Sequence, residues 1–403
     1  MDKLPRHMGV EGPQVLTPGR RDVIIVGAGP AGLLAARDLA AFGYSALVVE
    51  EHETIGVPVH CTGVLGMDAF DELDLPRHTI LQTAHAARFV SADGSSILID
   101  DERVRAAIID RGEFDGALAT SAVAAGAEIQ AACRVRQIDV EHGGVTVSTS
   151  GGEVQGRACI IACGANYRFN RRLGLGLPRV FVHSAQREVA FPAADHVEVY
   201  LGRRIAAGGF GWLVPFRRGA TSYARVGVMC EGRPRAAFEE LAACIDRRFG
   251  VATIWQQPRV KVLPLAPVTR TWSRRVLAVG DAAGLVKATT GGGIYFGLLS
   301  GRLAAEVLAD RLRDDRLAGT HLREYERRWR ARLWPEIRAG LAFRALASRL
   351  SDRTIDKVVE LARVDGIVPL LKQTADFNWH GAAARSLLKH PSFRRVVFGS
   401  IWS

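Results

Sequence analysis

Between two short apolar runs lies Gly27-Ala-Gly-Pro-Ala-Gly32, and this hexapeptide limits what the chain can fold into more than any other segment. Asp22-Val-Ile-Ile-Val26 before it is continuous, β-branched and of strand length, as a strand buried on both faces requires. Leu33 to Phe42 after it reads as a helix, and Gly43 suits its C-cap. Ala46-Leu-Val-Val-Glu50 reads as a second buried strand. The unit is βαβ, with parallel strands joined through a helix. Gly27 permits the tight turn, Gly29 lets backbone N–H groups approach a pyrophosphate, and Gly32 lets helix and strand pack closely. Ala31 keeps the helix start small, and the helix N-terminus adds partial positive charge. Glu50 lies about 20 residues past the central glycine, placed to accept hydrogen bonds from an adenosine ribose. The pattern predicts a dinucleotide site and leaves NAD and FAD open.

Further along, Gly112 to Gly126 reads as an Ala-rich helix. Glu128 to Val135, Ile138 to Glu141 and Val145 to Ser150 read as a small meander, turned at Gly143-Gly144 and Gly151-Gly152. Arg157 to Cys163 is one more buried strand. Residues 180–230 alternate apolar and polar, as in Tyr223-Ala-Arg-Val-Gly-Val228, which predicts antiparallel sheet. A helix at 235–249 follows. Val276-Leu-Ala-Val-Gly280 returns to the buried parallel type, with Asp281 at its tip, and the chain beyond Gly297 is mostly helical. This order implies a discontinuous nucleotide domain with a second sheet inserted between its parts.

At 48% hydrophobic and 24% charged residues, the chain has ample material for a core, which excludes wholesale disorder. The six cysteines form no CxxC pair and no metal-ligand spacing, so no metal is expected and a reducing, cytoplasmic setting is. Residues 1–20 lack the apolar core of a secretory signal and read as a flexible leader. No run reaches the roughly 18 apolar residues of a membrane span. The net charge is +11, and the segment from Arg302 to Ser403 holds 20 basic against 12 acidic residues. With Trp329, Trp334, Phe343, Phe393, Phe398 and Trp402 interleaved, that excess is expected to touch an anionic membrane surface peripherally. No nucleic-acid motif accompanies it, and no nucleic-acid partner is expected.

Val279-Gly-Asp-Ala-Ala283 resembles the second signature of glutathione-reductase-type and hydroxylase-type flavoproteins. That resemblance implies FAD, with Gly280 and Asp281 at the ribityl chain. It also implies that the helix start at Gly292, Gly293 and Ile294 presents backbone N–H groups near the flavin's pyrimidine edge. Three segments narrow the likeness: Ile55-Gly-Val-Pro-Val-His-Cys-Thr-Gly63, Ile109-Asp-Arg-Gly-Glu-Phe-Asp115, and Val279 to Ala305. Together they resemble the geranylgeranyl reductase family, within the p-hydroxybenzoate-hydroxylase-like FAD superfamily, over about residues 20–310. The implied fold is α/β: a Rossmann-like FAD-binding domain, an inserted antiparallel-sheet substrate domain and a helical C-terminal region. The expected divisions are 1–20 as leader; 21–85, 102–172 and 258–310 for FAD; 86–101 and 173–257 for substrate; and 311–403 as the helical region.

The same resemblance implies FAD-dependent saturation of isoprenoid C=C bonds, with a prenylated lipid or other isoprenoid as substrate. Arg111 would approach the FAD phosphates, and Cys61 would lie beside the isoalloxazine. His60, on the same loop, reads as structural or exposed. Gly208-Gly-Phe-Gly-Trp-Leu-Val-Pro215 falls where the family carries an aromatic-x-Trp-x-aromatic-Pro strand over the substrate cavity, which makes Phe210 and Trp212 catalytic candidates. Val214 departs from that pattern. Cys163-Gly164 replaces the hydroxylases' Asp-Gly, and Lys287 either stabilises an anionic reduced flavin or faces solvent. No second βαβ fingerprint marks an NAD(P)H site, so the electron donor is NAD(P)H bound transiently or a ferredoxin-like protein. The rival readings are a flavin monooxygenase or halogenase, whose strand the Gly-Trp-Leu-Val-Pro segment resembles, and a quinone-linked electron-transfer flavoprotein.

Overall fold

In the computed structural model, which describes residues 19–251, 255–364, 366–374 and 376–401, Arg20–Val26 runs parallel to both Ala46–Val49 and Gly152–Ile161. Nearly all of the expected leader, and Trp402, lie outside the described residues. Glu128–Gln130 extends this sheet beyond Ala46–Val49, and Val276–Ala278 with Trp272–Ser273 extends it beyond Gly152–Ile161. Val23, Ile24 and Ile25 have no exposure, as the β-branched run requires of a sheet covered on both faces.

The first helix runs Pro30–Ala41 and so starts three residues before the periodic segment. Proline suits a helix's first turn because its fixed φ is already helical and its missing N–H would have been unpaired there. This helix packs on Ile294–Arg313 so closely that a Cβ at Gly301 would lie 2.3 Å from the Ala31 carbonyl oxygen. The expected strand Glu128 to Val135 breaks after Gln130. Ala132 takes a positive φ of 53°, and the N–H of Cys133 turns to the Glu50 carbonyl at 2.8 Å. Val135–Val140 then pairs with Val145–Thr149 as the meander predicts.

The second sheet has the order Arg259–Pro264, Phe181–Ala190, Thr221–Cys230, Phe210–Arg218, Val197–Tyr200, Ala86–Val90, Ser96–Asp100. Helix Pro234–Phe249 covers part of one face with Phe238, Leu241 and Ile245. The residues just past the boundary expected at 258 belong to this second sheet and not to the FAD-binding domain. Arg259–Pro264 is the edge of this second sheet, hydrogen-bonded to Phe181–Ala190. Its alternating side chains serve two surfaces, a cavity wall and an outer face, so the segment carries no buried-strand signature.

A small sheet of Val64–Gly66, Ala106–Ile109 and Ile80–Ala84 completes the β structure. Among the described residues five helices follow Arg313: Gly319–Ala347, Asp352–Val364, Ile367–Thr374, Gly381–Lys389 and Pro391–Ile401. Leu350, Ala362, Ile367, Phe393 and Val397 form their own cluster, against Ile97 of the second sheet. Two aromatics expected at a membrane are interior: Trp329 donates its indole N–H to Thr271 Oγ1 at 2.8 Å, and Phe393 belongs to that cluster. Arg327 and Arg328 pair with Glu324, and Arg330 pairs with Glu326. No helix among the described residues is long and apolar enough to cross a membrane.

Candidate active site

A cavity of about 380 Å³ opens where the parallel strands end, at Val26, Val49 and Val279. The carboxyl edge of an open parallel sheet is where such folds place ligands. Gly27 turns the chain at φ 108°, and a Cβ there would lie 2.6 Å from the Ala162 carbonyl oxygen. At Gly32 a Cβ would meet the Gly27 carbonyl oxygen at 2.2 Å. A Cβ at Gly29 would meet nothing within 4 Å, because Gly29 faces the cavity. Ala31 lines the cavity and also packs on Gly280 and Gly297, so its small size serves both tasks.

Glu50 is engaged by the turn it faces. Its Oε2 accepts the Ala28 N–H at 2.8 Å, and its Oε1 accepts the His52 N–H at 3.0 Å with the His52 ring Nδ1 at 2.5 Å. A carboxylate offers about four acceptor sites, which leaves capacity for a ribose hydroxyl. Gly280, at φ 57°, donates its N–H to Ser300 Oγ at 2.9 Å. The Asp281 carbonyl accepts the Tyr167 hydroxyl at 2.8 Å. Burial, with Asp281 and Cys163 nearby, raises the Tyr167 phenol above its ordinary value, so it stays a donor. A Cβ at Gly293 would lie 2.6 Å from Asp281 Oδ1, so only glycine lets this turn close on the carboxylate. Gly293 and Ile294 line the cavity. Gly292 backs it, pressed against the Lys287 stem.

Arg111 and Cys61 both reach the cavity wall. Asp110 caps the helix Arg111–Ala124 through the N–H groups of Gly112 and Glu113, which fixes Arg111 at its first turn. The Arg111 guanidinium pairs with Asp115 at 2.7 Å and also contacts the Cys61 thiol. Burial alone would lower the Arg111 pKa, but Asp115 and Cys61 raise it overall. Burial likewise raises the Asp115 carboxyl, against the pull of Arg111. Cys61 Sγ accepts the Gly63 N–H at 3.4 Å. Cys163 also lines the cavity, but burial pushes its thiol up to about 11 and its Sγ donates to the Asn166 carbonyl. His60 is exposed at the cavity rim, its pKa lowered by partial burial and then by Lys261, Arg259 and His52.

Phe210 and Trp212 share one strand face, ring centroids 5.8 Å apart. They pack in an apolar cluster with Met229, Leu263 and Val286. Leu263 lines the cavity, and a Cβ at Gly291 would touch both Leu263 and Met229. The two rings therefore adjoin the cavity through one layer of side chains and do not line it. The Trp212 indole N–H is buried without a partner. Lys287 takes neither expected position: it is buried, it donates to the Phe377 carbonyl at 2.8 Å, and it does not line the cavity. Asp115, Arg168 and Lys261 are wall residues that the sequence reading gave no role. The i,i+4 spacing of Arg111 and Asp115 was a visible signal for the first; nothing local marks the other two.

These residues fit FAD. The turn at Gly29 is open to a diphosphate at a helix N-terminus, the cations Arg111, Arg168 and Lys261 line the same cavity, and Asp281 lines it as an acceptor for a polyol hydroxyl. Comparison with known proteins agrees. The family model described as FAD binding domain matches residues 20–338. Digeranylgeranylglycerophospholipid reductase 2 of Methanothermobacter thermautotrophicus is 30% identical over 354 residues, 84% of this chain and 90% of that protein. Digeranylgeranylglycerophospholipid reductase of Methanocaldococcus jannaschii is 28% identical over 366 residues, 86% of this chain and 92% of that protein. The crystal structure of a geranylgeranyl bacteriochlorophyll reductase-like protein from Thermoplasma acidophilum superposes with a TM-score of 0.81 at 24% identity, covering 94% and 98% of the two chains. A flavin-dependent brominase shares the fold more distantly, with a TM-score of 0.66 at 16% identity and coverage of 95% and 99%. With the βαβ turn, the Gly280-Asp281 tip and these full-length relatives together, the chain belongs to the geranylgeranyl reductase family of FAD-dependent oxidoreductases.

Proposed function

We propose that the protein saturates C=C bonds of a prenylated lipid or other isoprenoid. The observation that carries this reading is the joint wall of Cys61 and Arg111, set beside the Phe210–Trp212 apolar cluster through Leu263. FAD, when bound and reduced, supplies a hydride. Each saturated bond takes that hydride on one carbon and a proton on the other. An isolated alkene has no carbonyl to polarise it, so positive charge builds on the more substituted carbon as the proton arrives. Trp212 and Phe210 stand one layer behind the wall, packed on Leu263, and shape the apolar end of the site rather than touching that charge. Cys61, held by the Gly63 N–H and the Arg111 guanidinium, is the proton donor in this reading. Glu50, Arg111, Asp281 and the glycines of both turns hold the cofactor. Electrons come from NAD(P)H or a ferredoxin-like protein, and a lipid-borne substrate places the protein at a membrane surface.

Dithionite-reduced holoenzyme, incubated anaerobically with a geranylgeranyl lipid, should yield products heavier by two hydrogens per bond in mass spectrometry. Cys61→Ser should slow turnover or change the extent of saturation with FAD content intact, and Trp212→Ala should cost rate or substrate affinity. An enzyme that leaves the chain untouched, yet hydroxylates or halogenates a ring once oxygen is admitted, would establish the rival monooxygenase reading. Silence of both variants with a true substrate would move the active site elsewhere.

A further inference from the structure

Exposed large apolar side chains are not spread evenly over this protein. Ten stand out among the described residues, and five of them, Leu177, Val180, Phe181, Val260 and Val262, fall on one corner of the second sheet. That corner is the edge pair Arg259–Pro264 and Phe181–Ala190, with the loop leading into it. Phe181 lies across from Pro264 and His183 across from Val262, which puts Phe181, Val260 and Val262 on one face, and Leu177 and Val180 lie in the loop just before Phe181. Val260 is 41% exposed and Val262 40%, on a strand whose alternate residues, Lys261 and Leu263, line the cavity. A single edge strand thus has one face in the active site and an apolar face in solvent. Arg259 Nη1 donates to the Val59 carbonyl at 3.0 Å, which ties this edge to the cavity loop that carries Cys61.

The charges around the corner are one-sided. Arg179 and Arg187 make no ion pair among the described residues, while Lys261 belongs to the cavity wall and Arg259 to the Val59 contact. The acidic residue on the two strands is Glu188, and it is taken by Arg218 and Arg225. Along the helix Gly319–Ala347, by contrast, the cations at 327, 328 and 330 are paired with Glu324 and Glu326, and Trp329 is interior. We infer that the Leu177–Phe181 and Val260–Val262 corner docks on an anionic bilayer, its apolar side chains entering the headgroup boundary and its unpaired cations meeting lipid phosphates. Docked so, the strand that meets the lipid with one face carries Lys261 and Leu263 of the cavity wall on the other, so the site lies one strand's thickness from the bilayer surface. This inference rests on the lipid-substrate reading above and adds the face through which it operates.

The test is flotation of FAD-loaded protein with vesicles of phosphatidylcholine alone or mixed with phosphatidylglycerol, at low and high salt. Wild type should bind the mixed vesicles, less at high salt, and bind neutral vesicles weakly. Val260→Glu with Val262→Glu, and separately Arg179→Glu with Arg187→Glu, should each lower binding about tenfold or more while FAD content and activity on detergent-dispersed substrate persist. Arg327→Glu with Arg338→Glu, in the C-terminal helices, should leave binding near wild type. Unchanged binding in both corner variants, loss confined to the C-terminal variant, or no vesicle binding by wild type would overturn the inference. So would concentration-dependent self-association abolished by the corner variants, which would make a second copy the occupant. Absence of prenyl reduction in detergent by wild type would instead overturn the reading of function, whatever the vesicles show.

Discussion

Nη1 of Arg225 lies 2.8 Å from the Thr62 carbonyl oxygen, so a buried guanidinium of the inserted sheet holds the backbone beside Cys61. The same nitrogen reaches the Ile109 carbonyl at 2.9 Å, two residues before Arg111. Nε pairs with Glu188, which Arg218 links to Asp110, the cap of the Arg111 helix. One side chain therefore sets the spacing between the two strands of backbone whose side chains, Cys61 and Arg111, meet on the cavity wall. Gly63 makes this fit, since a Cβ there would lie 2.5 Å from Arg225 Nη1.

Arg225→Met strands two buried carbonyls, while Glu188 keeps Arg218. The expected loss is about 2–4 kcal/mol, the scale of unsatisfied buried acceptors. Urea unfolding measures it. Alkylation of Cys61 by a maleimide in the folded holoenzyme should also speed up, and Arg225→Lys should restore part of both. Destabilisation with an unchanged alkylation rate would leave Arg225 a purely structural residue.

Gly29 and Gly32 should separate binding from folding. Gly29 has extended backbone that any residue adopts, and its missing Cβ faces open cavity. Gly29→Val should fold with near-native stability and lose FAD affinity by tenfold or more on apoprotein titration. Gly32→Ala drives a methyl into the Gly27 carbonyl and should cost about 3 kcal/mol or more in unfolding, the upper range for overpacking. Equal FAD affinity in Gly29→Val would place the diphosphate elsewhere.

Glu50→Ala should weaken FAD binding by about 1.5–3 kcal/mol, the worth of a hydrogen bond to a charged group. Because the carboxylate also holds the Ala28 N–H and the His52 loop, thermal stability of the apoprotein should fall as well. A drop in affinity with no change in apoprotein stability would confine Glu50 to the ribose.

The parallel sheet and its turn were legible because Gly32 answers a contact made five residues earlier, with the Gly27 carbonyl, inside one strand–turn–helix unit. The wall made by Arg111, Asp115 and Cys61 was half legible. The pair at 111 and 115 shares a helix, but its approach to Cys61 depends on Arg225, more than a hundred residues later. Lys287 misled because the sequence around it describes a flavin turn, whereas its side chain answers to Phe377 in the C-terminal region. The edge strand Arg259–Pro264 escaped because a strand with a cavity on one face and solvent on the other shows neither a buried run nor a polar face.

That C-terminal contact should set how stability varies with pH. Burial pushes Lys287 down to about 8, with Asp376, Glu336 and Asp68 opposing. Burial, then Lys287, pushes His380 down to about 3, with the Phe377 carbonyl opposing. Both folded values lie below the unfolded ones, so the unfolded chain binds the extra proton in two windows. Stability rises with pH wherever the unfolded state holds more protons. For His380 the stabilising contribution is present above about pH 6.5 and is lost as pH falls toward 3, a change of order 5 kcal/mol. For Lys287 stability climbs from about pH 8 to 10.5, by order 3 kcal/mol. Urea unfolding across pH should show both slopes in wild type. His380→Gln should flatten the acid one, keeping a hydrogen-bonding group beside Thr289, and Lys287→Met the alkaline one. Asp22, Asp101, Asp315 and Glu324, whose carboxyls are held low by their partners, keep an acid slope of their own. A slope left undiminished by His380→Gln would therefore mean that the ring is solvated and that the segment Asp376–Gly381 does not seal against the flavin turn.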